Sequence, residues 1–255
     1  MKNFFAQLHQ RNTVLYYFGI TCLFCSALCL LMMVVINTQV LGINAYIKPA
    51  KFFLSVSIAS CTFGWLLFYL DKQQAVRRYS WMTVIVMTLE LSIIAWQAVQ
   101  GKRSHFNNST PLDGILFGIM GLAIIIYTVW TGYMGWLFIR QKNFSLTVSY
   151  LWGIRLGIIL FVVFAFEGFF MVGNNAHTIG APDGGPGLPF VNWSTHHGDL
   201  RIAHFLGMHS LQIFPAIGYL MNNNKRTVVY IAACYFFIVT ALLMEALMGI
   251  PFLKI

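Results

Sequence analysis

The stretch Val14–Val35 reads VLYYFGITCLFCSALCLLMMVV, more than twenty residues without a charge. A hydrocarbon core about 30 Å thick is crossed by about 20 apolar residues of helix. The run lacks the apolar–polar alternation of an outer-membrane barrel strand, and in lipid only a helix or a closed barrel satisfies its own backbone. It therefore predicts a transmembrane helix. Lys2 and Arg11 flank it as they would a signal sequence, but it ends in Val34, Val35, Ile36 and Asn37 with no small-residue cleavage pattern, so it reads as a retained helix.

Six more such runs follow, at about 50–70, 80–99, 114–139, 146–172, 202–221 and 227–249. The expected fold is all-α: one seven-helix transmembrane domain over residues 1–255. Composition agrees, with 58% hydrophobic and 9% charged residues against roughly 25% charged in soluble domains. Local signals mark two helix starts: Lys48 before Pro49, and Thr110 before Pro111 with Asp113 following, an N-cap, a first-turn proline and an acid at the positive helix end.

Lysine and arginine in short loops set the orientation. Nine fall on one side (Lys2, Arg11, Lys72, Arg77, Arg78, Arg140, Lys142, Lys225, Arg226) and six on the other (Lys48, Lys51, Lys102, Arg103, Arg201, Lys254). The expectation is an N-terminus inside and a C-terminus outside. The net charge of +9 is then mainly a topology signal and an attraction to anionic headgroups, spread too thinly for a nucleic-acid surface. Cys22, Cys25, Cys29, Cys61 and Cys234 all fall inside apolar runs and read as packing residues, although Cys22 and Cys25 have C-x-x-C spacing. Asn107, Asn108 and Asn192 fit the N-glycosylation pattern, which matters only in a eukaryotic source.

One connection is long. Residues 173–200 hold His177, Pro182, Asp183, Gly184, Gly185, Pro186, Gly187, Pro189, His196, His197 and Asp199, and Phe190 and Trp193 favour a lid packed on the bundle over a mobile linker. Pro215 inside the sixth run predicts a bend that opens space below His209.

With this orientation, six of the seven histidines and five of the seven acids lie in the outer half or the outer loops. Ionisable groups inside a bilayer face a bundle interior or a wet cavity. We therefore expect an outer-facing pocket lined by Lys51, Glu90, Gln97, His105, Glu167, Arg201, His204 and His209. Glu90 and Glu167 would carry protons or act as ligands, and Lys51 and Arg201 would hold negative charge. Bland readings stand beside these: Lys48, Lys51 and Glu245 as headgroup-seeking residues, and Arg155 as a structural bridge to Glu90 or Glu167.

Three functions suit such a pocket. Proton-coupled transport or binding of a small polar molecule fits mid-depth acids and a proline-bearing helix. Haem b held between His105 and His204 or His209 would make an electron carrier. Zinc on His105, His204, His209 and Glu167 would make a membrane hydrolase, although no H-E-x-x-H motif occurs and the five-residue step from His204 to His209 turns the two rings about 140° apart. The stretches Ile47–Phe52, Gln100–Asn107, Gly198–Phe205 and His209–Gln212 resemble an uncharacterised family of bacterial multi-pass inner-membrane proteins. The resemblance implies a bacterial inner-membrane location and carries no activity.

Overall fold

The computed structural model describes residues 2–254. The chain divides into two compact units, Met1–Trp130 and Thr131–Ile255, with the boundary inside one helix.

The first unit begins with α1 (Lys2–Arg11), a short polar helix the sequence reading did not anticipate, whose Leu8 is fully buried. Asn12 then caps α2 (Thr13–Val35): its Oδ1 accepts from the Leu15 amide at 3.0 Å. The buried residues of α2 are Leu15, Gly19, Cys22 and Ser26, one stripe at helical spacing. That stripe meets α3 (Ile47–Leu66), where Ser26 Oγ donates to the Ala50 carbonyl at 2.9 Å. A two-residue antiparallel hairpin, β1 (Gln39–Val40) with β2 (Ile43–Asn44), joins α2 to α3. A 3-10 turn at Leu67–Tyr69 leads into α4 (Gln73–Val99). Phe63 of α3 packs edge-on against Tyr79 of α4, ring centroids 5.4 Å apart, and fixes their antiparallel register. Thr110 caps α5 (Pro111–Arg140), its Oγ1 accepting from the Asp113 amide at 3.1 Å, as the Thr-Pro-x-Asp pattern predicts.

In the second unit α6 (Val148–Asn174) and α7 (Arg201–Leu220) form the tightest pair. The reason is glycine. A Cβ at Gly153 would overlap the Phe214 carbonyl, and one at Gly157 would stand 2.9 Å from the Ser210 carbonyl. Such small-residue faces let membrane helices approach backbone to backbone. Pro215 lies inside α7, which continues through it to Leu220, and its ring packs on this glycine face. α8 (Lys225–Leu247) completes a core of Leu160, Phe164, Ala203, Phe214, Ala232 and Val239.

The outward faces are as apolar as the cores. Phe24 is 69% exposed and Val34 85%, an arrangement stable in lipid and not in water. Among the described residues, six helical stretches are long and apolar enough to cross a membrane: Thr13–Val35, Ile47–Tyr69, Gln73–Val99, Pro111–Arg140, Val148–Asn174 and Lys225–Leu247. Six such stretches and an all-α fold make the chain an integral membrane protein by length and composition. The expected run at about 202–221 is not among these six. α7 carries Arg201, His204, His209, Ser210 and Gln212 in twenty residues and is too polar to qualify by composition.

Candidate functional site

The residues expected to share one pocket divide between the units. Lys51, Glu90, Gln97 and His105 belong to the first, and Glu167, Arg201, His204 and His209 to the second.

In the second unit the central pair is Glu167 on α6 and His204 on α7. His204 Nδ1 lies 2.8 Å from the Phe164 carbonyl and 3.1 Å from Glu167 Oε2. A carbonyl only accepts, so Nδ1 bears a proton and donates to both oxygens. That leaves Nε2 as the nitrogen whose protonation can change. Gly168 makes the contact possible, because a Cβ there would sit 3.2 Å from His204 Cε1. The Glu167 side chain is 3% exposed and that of His204 24%. Glu167 Oε1 is buried with no hydrogen-bond partner. A carboxylate with one satisfied and one orphaned oxygen, bonded to an imidazole with an available nitrogen, can accept a proton or a polar ligand.

The other second-unit candidates are engaged locally. His209 Nδ1 lies 3.2 Å from Gln212 Oε1, and its ring stacks edge-on to Phe205 at 4.2 Å. Arg201 serves the loop: its Nε donates to Asp199 Oδ1 at 2.9 Å, and its Nη2 to Asp199 Oδ2 at 2.6 Å and to the Asn192 carbonyl. Asp199 is fully buried and also accepts from the amides of Ser194 and Arg201. Arg155 forms no bridge to Glu167. Its Nε donates to the Phe138 carbonyl at 2.9 Å, with the Trp152 ring alongside.

The long connection is packed. Strands β3 (Thr178–Ile179) and β4 (Gly198–Asp199) pair antiparallel, Gly198 lies against the Ala246 backbone of α8, and Trp193 contacts Phe205 of α7 with ring centroids 5.6 Å apart. His177 Nδ1 bonds Asp183 Oδ2 at 2.6 Å. Burial alone would raise the Asp183 carboxyl, but hydrogen bonds from His177 and Thr178 and the positive charges nearby hold it well below the usual carboxylate range.

In the first unit Gln97 Nε2 donates to Asp113 Oδ1 at 2.9 Å, and Asp113 also accepts from Thr110 Oγ1 at 2.8 Å and Lys102 at 3.4 Å. His105 Nδ1 is 3.0 Å from Ser104 Oγ, and its ring lies among Phe52, Phe106 and Phe117. Lys51 is half-buried near the start of α3. Glu90 is buried with Oε1 unpartnered, under the electrostatic influence of Lys48. The same helix pair carries two further buried oxygens without partners, Ser60 Oγ and Thr83 Oγ1, and Gln97 Oε1 is a third.

No family model, curated protein or solved structure matches the chain. Function rests on the geometry above.

Among the described residues, no group of three or more His, Cys, Asp and Glu side chains is placed to hold a metal ion. The five cysteines are free thiols, with Cys22 buried in the α2 stripe. Sequence reading picked Glu167 and His204 but missed both their direct hydrogen bond and the Phe164 carbonyl that accepts from the same ring nitrogen. It placed Glu90 and Gln97 on one face two turns apart but missed Thr83 one further seven-residue step back, and it missed the G-x-x-x-G spacing of Gly153 and Gly157. Both were legible signals.

Proposed function

We propose that the chain is a seven-span protein of a bacterial inner membrane, N-terminus inside and C-terminus outside, that binds and moves a small polar molecule together with protons. The pair Glu167–His204 is its protonatable site. One observation carries this reading: an imidazole whose Nδ1 proton is fixed by the Phe164 carbonyl and Glu167, beside a buried carboxylate oxygen with no partner. A protonated Nε2 and an ionised Glu167 make a polar, neutral pair. Removing the proton leaves a net negative charge that a cationic or hydrogen-bond-donating ligand, or a new proton, would offset.

The packing of α7 supports its role as the seventh span. It lies against α6 from Gly218 beside Ser149 to His204 beside Phe164 and Glu167, so it shares the depth of a helix that is itself long and apolar enough to cross. Of the polar residues that lower its apolarity, Ser210 is fully buried, its Oγ donating to the Gly157 carbonyl at 3.0 Å, and Arg201, His204, His209 and Gln212 are half-buried.

The test is solute accumulation in proteoliposomes under an imposed pH gradient, run over a panel of small amines, amino acids and organic acids. At least one solute accumulates in the wild type, and His204→Gln and Glu167→Gln abolish the dependence on the pH gradient. Accumulation that is unchanged in both variants overturns the assignment. A second reading has one observation behind it, since fixing Nδ1–H leaves Nε2 in the state that ligates haem iron. A Soret band in the purified protein that disappears in His204→Ala would favour haem binding over transport.

A further inference from the structure

We infer that the first unit contains a second functional element, a water-lined path that carries protons along α4. The inference rests on the orphaned oxygens of that unit and not on the Glu167–His204 reading.

Thr83, Glu90 and Gln97 recur every seven residues on α4. Seven residues turn a helix by nearly two full turns, so the three lie on one face about 10.5 Å apart. Each is at least nine-tenths buried, and each has a side-chain oxygen with no hydrogen-bond partner. The register set by Phe63 on Tyr79 brings Ser60 of α3, also buried and also unpartnered, to the level of Thr83. At one end of the row lies Ser80, and at the other Gln97 bonds Asp113. From Ser80 to Gln97 the row spans about 26 Å, close to the hydrocarbon thickness of a bilayer.

A buried polar atom without a partner costs about 1–3 kcal/mol, and a row of four on one helix pair is not a packing accident that folding would tolerate cheaply. Water satisfies them, since polar buried sites of this kind hold ordered water. The spacing identifies what moves. Oxygens about 10.5 Å apart cannot jointly ligate one cation, and the Lys48 charge acting on Glu90 further disfavours a resident metal ion. A proton needs only a chain of hydrogen bonds and one carboxyl at mid-depth. Glu90 takes a proton from water on one side and releases it to water on the other. For each proton that enters one proton leaves, and no other bond changes.

The experiment uses the full chain in liposomes loaded with a pH-sensitive dye, with proton entry driven by a potassium diffusion potential. Wild type conducts protons above empty liposomes, Glu90→Gln lowers that flux by about a hundredfold, the scale of a lost acid–base group, and Glu90→Asp retains part of it. Thr83→Val gives an intermediate loss. Proton flux is measured with no transportable solute present, so solute-coupled proton entry does not contribute and failure of the solute-transport reading is distinguishable. Wild-type flux equal to that of empty liposomes, or Glu90→Gln equal to wild type, overturns the path. A readout free of mutation comes from brief X-ray radiolysis, in which water next to Met87, one turn from both Thr83 and Glu90, oxidises its sulfur. An unlabelled Met87 means a dry interface and also overturns the path.

Discussion

α7 and α4 both carry polar side chains through a packed helical interior, and they settle them differently. On α7, His204 donates to the Phe164 carbonyl and Ser210 to the Gly157 carbonyl, while Tyr235 of α8 reaches back to the Leu206 carbonyl at 2.6 Å. On α4, Thr83, Glu90 and Gln97 each keep an oxygen without a partner. The difference follows from glycine. α6 offers α7 the flat face of Gly153 and Gly157, so backbone carbonyls come within reach of the neighbour's side chains. α4 has no glycine from Gln73 to Val99, and its neighbours stand off at side-chain distance. Close approach converts polar side chains into structural glue, and distance leaves them for water or a proton.

The comparison breaks most visibly where satisfaction is densest. Asp199 is fully buried and accepts from two amides and from Arg201. Asp199→Ala strips the partner from a guanidinium and two amides and is expected to cost about 3–5 kcal/mol, read as a lower thermal midpoint in detergent and faster proteolysis between residues 175 and 200. Next comes the glycine face itself. Gly153→Val drives a side chain into the Phe214 carbonyl and should cost about 1–3 kcal/mol or more. Gly118, around which nothing lies within 4 Å of an added Cβ, is the control: Gly118→Val leaves the midpoint near wild type. Equal effects at both positions would remove close approach as the cause.

Much of this was legible in the sequence. The apolar runs located every long helix to within a few residues, save α4, whose first turns from Gln73 are polar and read as a loop. α1 escaped because ten polar-rich residues show no apolar run, and only Leu8 and its burial against the bundle reveal the helix. Glu90, Glu167 and His204 stood out as ionisable groups in lipid-length runs. The Phe164 carbonyl that accepts from His204 did not, because a backbone acceptor has no residue-type signature. Arg201 illustrates the opposite error: a cation at a helix start looks like an anion site, yet a carboxylate two residues earlier already occupies it.

Acid sharpens the contrast between the loop and the helices. The Asp183 carboxyl is held below its ordinary value of about 3.9, by His177 and Thr178 above all. A lowered folded-state value means that its contribution is complete above pH about 4 and is lost as pH falls through that lowered value. Amide protection over residues 175–200, measured relative to the same unstructured chain at each pH, should therefore fall below pH 4. Asp183→Asn should exchange faster at neutral pH and show less change on acidification. An identical acid response in wild type and variant would mean that other carboxyls hold the loop.

The smallest effect separates the two kinds of buried hydroxyl. Ser210 Oγ has a carbonyl partner at 3.0 Å, so Ser210→Ala removes a hydrogen bond worth about 1 kcal/mol and leaves the Gly157 carbonyl its helical partner only. Ser60 Oγ, equally buried, has no protein partner. Ser60→Ala therefore removes a desolvated group without orphaning another, and stability should hold or rise slightly. If water occupies the α3–α4 row, the same change still leaves stability near wild type but slows proton flux. The sign difference between two serine-to-alanine changes in one protein, measured by thermal midpoint under one condition, is thus a test of whether close backbone approach decides the fate of a buried polar side chain here. Equal losses at both positions would place a hidden partner on Ser60 and dissolve the distinction between α4 and α7.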